Sequence, residues 1–290
     1  MKKTLGLVLG LAIGLSGCSK PESSASDAPN KNNANELQTV TMASTGSDAD
    51  IWRYIASLPE TKKAGIKLDV KNFTDYVSMN TAVADDEIDI NAFQSYSYLV
   101  AFNENNKNKI APISTTYLEP MGIYSSKVKK VEEFATGATI AIPNDAANEA
   151  RALLLLQTAG VLKLKADFNP ATGTPNDITE NAKKVVIKPI QMATAVRVKD
   201  EVDAIVLGNT LALEGGLNVL KDSIYYEPID QSTRLNVNIL AVADARKNDA
   251  VLKKVGELYH TEAVANYVEK HFGGTKVDVN KPISYLTDAK

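Results

Sequence analysis

Short apolar runs alternate with amphipathic stretches along most of this chain, and no other feature restricts its fold as strongly. Strand-like spacing recurs over 38–43, 66–70 (Ile66, Leu68 and Val70 between charges), 88–92 and 110–115. Polar turns between these runs lead into helical patterns, one capped near Asp48, one over 75–84 and one over 96–103. Beyond Gly122 the rhythm resumes with helix 128–134, strand 138–142, a helix after Asn144-Asp145, strand 184–190, helix 192–198 and strand 202–207. Residues 165–182 are rich in Pro, Gly, Asn and Asp and read mostly as loop. A strongly apolar strand, 236–243, and two amphipathic helices, 250–259 and 261–272, complete the pattern. Strands separated by helices in this rhythm predict a parallel sheet with helices on its faces, an α/β fold.

The first residues read as a targeting segment instead. Lys2 and Lys3 precede an apolar stretch, Leu5 to Leu15, that is too short to span a bilayer, and Ser16-Gly17-Cys18 follows. Leu15 to Cys18 reads LSGC and resembles a lipobox, which makes residues 1–17 a signal peptide and Cys18 the lipid-bearing first residue of the mature chain. Cys18 is also the single cysteine of the 290 residues, so no internal disulfide can form. Stable anchoring at a bilayer takes more than one acyl chain. Residues 18–36 contain no large apolar side chain after the cysteine and read as a flexible tether, so the folded part begins near Leu37. A hydrophobic content of 44% supports a substantial core, while a net charge of −3 leaves no basic footprint for nucleic acid.

Ligands of open α/β sheets sit off the carboxyl ends of the strands. Two similar segments end there. Asp86-Glu87-Ile88-Asp89-Ile90 leads to Asn91-Ala92-Phe93-Gln94-Ser95, and Asp200-Glu201-Val202-Asp203-Ala204-Ile205 leads to Gly208-Asn209-Thr210. This echo suggests two similar lobes facing one cleft. Between them lies IPNDAANEARALLLLQTAGVLKL, Ile142 to Leu164, where Pro143 stops a strand, Asn144-Asp145 offer helix caps and Gly160 offers a stop. Asn148 and Arg151 share a face in the first two turns, where backbone N–H groups are unpaired. An arginine gains nothing there from the helix dipole, so a partner is expected to hold it. Two remain open at this stage: a ligand carboxylate in the guanidinium fork, or a surface pair with Glu149 or Asp145.

The two histidines, His260 and His271, lie in the C-terminal helices, far from these clusters, and no dinucleotide, P-loop, zincin or EF-hand spacing occurs. Asp85-Asp86-Glu87 reads as solvated acids. No enzyme, metal or cofactor is expected. Aromatic rings (Tyr76, Phe93, Tyr98), amides (Asn148, Asn209, Asn238) and Arg151 suit capture of a zwitterion.

Several segments together resemble one family, the methionine-binding lipoproteins of ABC importers, or NlpA lipoproteins: LSGC, FTDYV (Phe73 to Val77), EIDINAFQ (Glu87 to Gln94), PNDAANEARALLLLQ (Pro143 to Gln157), Gly208 to Thr210, and VNILAV (Val237 to Val242). The likeness spans essentially the whole chain. It implies a two-lobed periplasmic-binding-protein fold with two interlobe crossovers, residues 37–121 plus 235–290 forming lobe one and 122–234 lobe two, with hinges near Gly122 and Arg234. It implies a monomer anchored by Cys18 to the cell membrane on its extracytoplasmic side, which captures an amino acid and hands it to an ABC permease and its ATPase. Arg151 then matches the family's carboxylate-binding arginine, with Asn148, Asn209, Asn238, Tyr76, Phe93 and Tyr98 as further ligand contacts. One departure stands out. Family members usually read NAFQH, whereas Ser95 follows Gln94 here, and Glu119 replaces an aromatic found in some members. Ser95 therefore joins the expected site, and methionine, a D-isomer, another amino acid or a methionine-containing dipeptide all remain open as ligand, beside an adhesin or scaffold without one.

Overall fold

The computed structural model describes residues 37–288, so the signal peptide, Cys18 and the tether lie outside the described residues. Within them the chain forms β1 (Gln38–Ser44), α1 (Gly46–Ser57), β2 (Ile66–Asn72), α2 (Tyr76–Ala84), β3 (Ile90–Ser95), α3 (Tyr96–Asn105) and β4 (Ile110–Thr115). It continues through β5 (Met121–Tyr124), β6 (Thr139–Pro143), α4 (Ala146–Thr158), β7 (Val186–Ile190), β8 (Ala204–Gly208), α5 (Asn209–Glu214) and β9 (Tyr225–Tyr226). It then returns through β10 (Asn238–Ala243), α6 (Ala250–Tyr259) and α7 (Glu262–Phe272).

Two five-stranded sheets result, ordered β2-β1-β3-β10-β4 and β7-β6-β8-β5-β9. The chain passes from the first to the second between β4 and β5 and returns between β9 and β10, giving the two crossovers of a two-lobed fold. The sheets are mixed, which corrects the expectation of parallel strands. β1 runs parallel to β2 and β3, and β6 parallel to β7 and β8, but β10 is antiparallel to both its neighbours and β5 is antiparallel to β8 and β9. Apolar content reports burial rather than strand direction. All six residues of β10 are buried because it lies between two strands, and its run NILAVA reads the same in either sense.

Local chemistry explains most boundaries. Asp75 caps α2 through the Ser78 N–H, Ser95 caps α3 through the Tyr98 N–H, and Asp145 caps α4 through the Asn148 N–H. Gly160, in the left-handed region at φ 75°, follows the end of α4. Three helix expectations change. Thr45, not Asp48, stands at the N-cap of α1, and Asp48 is buried inside the first turn. The helix expected over 128–134 is a single 3-10 turn, Val131–Glu133, ended as the chain buries Phe134. The stretch Met192–Val198 is also 3-10, with only Ala195 buried, because its β-branched side chains gain little from an α-helical face packed on one side alone.

The acidic echo has a structural purpose at the opposite end of the strands from the cleft. Asp89 accepts hydrogen bonds from Thr41 N and Oγ1, both at 2.7 Å, and Asp203 accepts from Thr139 N at 2.8 Å. Each carboxylate thus ties the start of its own strand to a neighbour, Asp89 to the middle of β1 and Asp203 to the start of β6. Of the other acids in the first echo, Asp86 meets Arg246 at 3.1 Å. Separate apolar cores back the two sheets, one around Met42, Ile51, Trp52, Leu240 and Val255, the other around Ile123, Ile140, Leu153, Leu156 and Val206.

Candidate functional site

A narrow cavity of about 50 Å³ lies between the two sheets. It is lined by the carboxyl end of β3 (Phe93, Gln94, Ser95), the starts of α1, α2, α3 and α4 (Asp48, Tyr76, Tyr98, Asn148, Arg151), Gly208, Thr210 and Leu211 after β8, and Asn238, Glu119 and Met192. Every sequence-expected ligand residue except Asn209 lies on this wall. Asn209 stands behind it, fully buried, its Nδ2 donating to Glu119 Oε2 at 3.0 Å and Thr275 Oγ1 at 3.2 Å.

One side is an aromatic corner. The Tyr76 ring lies 5.2 Å from Phe93, and Tyr98 stands edge-on to both, 6.3 Å from Tyr76 and 5.7 Å from Phe93. Such tilted and edge-to-face pairs stabilise one another and leave an apolar recess. Burial raises the proton affinity of both phenols, so they remain neutral donors. Behind Phe93, three buried amides interlock: Asn80 Nδ2 donates to Gln94 Oε1 (3.0 Å), Gln94 Nε2 to Asn80 and Asn91 Oδ1 (both 2.7 Å), and Asn91 Nδ2 to Asn80 Oδ1 (2.9 Å). They fasten α2 to β3 and so fix the rings those elements carry. The Ser95 hydroxyl pairs with Ser97 Oγ at 3.0 Å and accepts from the Tyr98 N–H at 3.3 Å.

Arg151 lies opposite in α4, its side chain 8% exposed. Its partner is neither Glu149 nor Asp145. Nε donates to Glu227 Oε1 at 2.9 Å and Nη2 to Glu227 Oε2 at 2.5 Å and to the Glu119 carbonyl at 2.8 Å. Burial alone would lower the arginine's proton affinity, but Glu227 more than reverses this and keeps it charged. One edge of the guanidinium fork is therefore closed by protein, and Nη1 makes no hydrogen bond among the described residues. The Asn238 side-chain amide likewise has no partner among the described residues, although the residue is 6% exposed. Buried polar ends without partners are costly, and these two face the cavity rather than sealed protein.

A second buried ion group closes the inner wall. Lys276, with no exposed side-chain surface, donates to Asp48 Oδ1 at 2.8 Å, Glu119 Oε2 at 2.6 Å and Thr210 Oγ1 at 2.9 Å, and its ammonium lies 4.3 Å from the centre of the Tyr117 ring. For both carboxylates burial favours the neutral form. It prevails at Asp48, whose affinity for a proton is raised, while at Glu119 the lysine and Asn209 outweigh it and hold the group ionised. Lys276 and Thr275 follow α7, which packs in the core of the first sheet, and Asn209 and Thr210 follow β8 of the second sheet, so these contacts also join the two sheets.

The chain matches the NlpA lipoprotein family model over residues 40–280. The chain belongs to this family. It is 33% identical to "Probable D-methionine-binding lipoprotein MetQ" of Pasteurella multocida over 94% of this chain and 97% of that protein, and 35% identical to "Outer membrane lipoprotein 2" of Mannheimia haemolytica over the same shares. Among solved structures it resembles a nutrient binding protein from Burkholderia cenocepacia bound to methionine, at TM-score 0.78 and 35% identity, covering 82% of this chain and 99% of that one. It also resembles the substrate binding protein of a methionine transporter from Streptococcus pneumoniae, at TM-score 0.75 and 36% identity, covering 83% and 95%.

Sequence reasoning missed Asp48, Thr210, Leu211, Met192, Gly208 and Glu227 as parts of this NlpA-family site. Thr210 and Gly208 lay in a cluster already singled out, and Glu119 had been marked as a departure. Glu227 and Lys276 carry no local signal, because each acquires its charged partners from more than 70 residues away.

Proposed function

We propose that this chain is the lipid-anchored substrate-binding protein of an ABC importer, which closes its two lobes on one amino acid with an apolar side chain, methionine first among them. The observation that carries this reading is the cavity between the lobes, where Arg151 Nη1 and the Asn238 amide face three aromatic rings. A ligand carboxylate on Arg151 and Asn238, with an unbranched thioether against Tyr76, Phe93 and Tyr98, satisfies both sides. The methionine named for the relatives supports the same choice. Lobe limits of 37–121 with 235–290, and 122–234, describe the parts that move about the two crossovers.

The reading is of binding without turnover. The only serine on the wall, Ser95, bonds to another serine, and neither His260 nor His271 lines the cavity. Cys18 supplies the bilayer anchor on the extracytoplasmic side, and the permease and ATPase of the importer are the partners. Among the described residues no helix is long and apolar enough to cross a membrane.

One observation favours a longer ligand as second reading. An outer chamber shares Tyr76, Tyr98, Met192 and Leu211 with the cavity and continues past them to Thr74, Gln191 and Glu214, room for a methionine-containing dipeptide. A thermal-shift screen of L- and D-amino acids and Gly-Met dipeptides tests both. Binding stabilises the folded state, so methionine should raise the melting temperature, and a dipeptide should raise it further only if the outer chamber is used. No shift with any of them would refute the function.

A further inference from the structure

The cavity wall contains one carboxylate oxygen that accepts no hydrogen bond among the described residues. Asp48 is 2% exposed. Its Oδ1 is taken by the Tyr117 hydroxyl at 2.5 Å and the Lys276 ammonium at 2.8 Å, with the Thr210 hydroxyl at 3.4 Å. Oδ2 makes no hydrogen bond among the described residues, yet it is not sealed inside protein, and the cavity is the space Asp48 lines. Glu119 differs, since Oε1 accepts from Thr210 at 3.1 Å and Oε2 from Asn209 at 3.0 Å and Lys276 at 2.6 Å.

Charge points the same way. Arg151 is committed to Glu227, and Lys276 is shared between Asp48 and Glu119. Counting Glu227 and Lys276 behind the wall with Asp48, Glu119 and Arg151 on it, this linked group holds three carboxylates against two cations, joined through the Glu119 carbonyl that accepts from Arg151. One negative charge is in excess, and the free lone pairs locate it at Asp48. A buried charge of this kind calls for a counter-ion or a proton.

We infer that Asp48 Oδ2 is the seat of the ligand's ammonium group, and that Lys276 is the positioning residue that holds Asp48 and Glu119 in place for it. This rests on the amino-acid reading above and narrows it to ligands with a free ammonium. The ligand's carboxylate meets Arg151 and its ammonium meets Asp48, so the charges alternate across the cavity. A ligand lacking the ammonium leaves Oδ2 buried and unmatched.

Calorimetry on the full chain in detergent tests this with L-methionine and its des-amino analogue, 4-(methylsulfanyl)butanoate. The wild type should bind methionine about 10- to 100-fold more tightly than the analogue, the loss of one charge-assisted bond. Asp48→Asn should remove most of that preference by weakening methionine while leaving the analogue within about threefold. Should this variant fail to fold, Asp48→Glu keeps the charge beside Lys276 but displaces the free oxygen, and should still weaken methionine selectively. Equal binding of both compounds by the wild type, or an unchanged preference in the folded variant, would overturn the inference and leave amino-acid binding standing. A wild type that binds neither compound nor any other amino acid would refute the underlying function itself.

Discussion

Replacing Arg151 by lysine separates its two connections. An ammonium at this position still reaches a carboxylate, so Glu227 keeps a cation, but the second face of the guanidinium, Nη1 toward the cavity, is gone. The lost ligand bond is charge-assisted and buried, worth about 1.5–3 kcal/mol, or roughly 10- to 140-fold in affinity at 1.4 kcal/mol per decade. Arg151→Ala removes both connections. Glu227, with its side chain 7% exposed, is then left without its ion partner, which costs about 3–5 kcal/mol of stability. At roughly 2–4 °C per kcal/mol for a chain of this size, the ligand-free alanine variant should melt about 6–20 °C below the wild type. The lysine variant should melt well above the alanine variant. The assay is titration calorimetry with L-methionine, paired with ligand-free thermal melts of all three proteins. Because the contact is buried, the lysine variant's deficit should persist at high salt, where surface attraction is screened. An affinity within threefold of wild type in Arg151→Lys would show that no carboxylate rests on Nη1, and the carboxylate assignment would fall.

Three further outcomes follow from the same geometry. Lys276→Met leaves Asp48 and Glu119 buried together without a cation, so their folded-state pKa values rise above the unfolded ones; the resulting penalty is present at neutral pH and relieved as pH falls through the folded values, and thermal melts should show the variant recovering relative to wild type on acidification. His260 holds Asp278 Oδ1 at 2.8 Å on Nδ1 and the Thr115 carbonyl at 2.9 Å on Nε2, two acceptors that require both ring protons. Burial opposes that charge, but Asp278 and the carbonyl outweigh it and raise the pKa above 6.5, so the contribution is complete below 6.5 and lost as pH rises through the folded value; the melting advantage of wild type over His260→Gln should narrow on that rise, and a constant gap would contradict the doubly protonated ring. Cys18→Ser should abolish incorporation of labelled palmitate and release the chain from membranes, and retained label would refute the anchor.

The fold was legible wherever burial is periodic. Strand 110–115 and helix 250–259 match their observed limits residue for residue, since alternation and helical spacing there reflect packing on one face. Strand direction was not legible, because an apolar run such as β10 carries no mark of its sense. In the site, the aromatic corner and Arg151 were visible through local motifs. What holds them was not. Glu227 reaches Arg151 across 76 positions and Lys276 reaches Asp48 across 228, and a lone acid or lysine in those stretches looks like any surface charge. The cap expected at Asp48 failed for the same reason, since a distant lysine and tyrosine hold its carboxylate and the N–H groups of α1 are left to others.

The central claim is that the cavity between the lobes takes one amino acid by its carboxylate and its apolar side chain. Calorimetric titration of L-methionine into the full wild-type chain tests it most directly. One molecule should bind per chain, saturably, with an accompanying rise in melting temperature. Absence of both heat and thermal shift for methionine and for every other amino acid tried would contradict it.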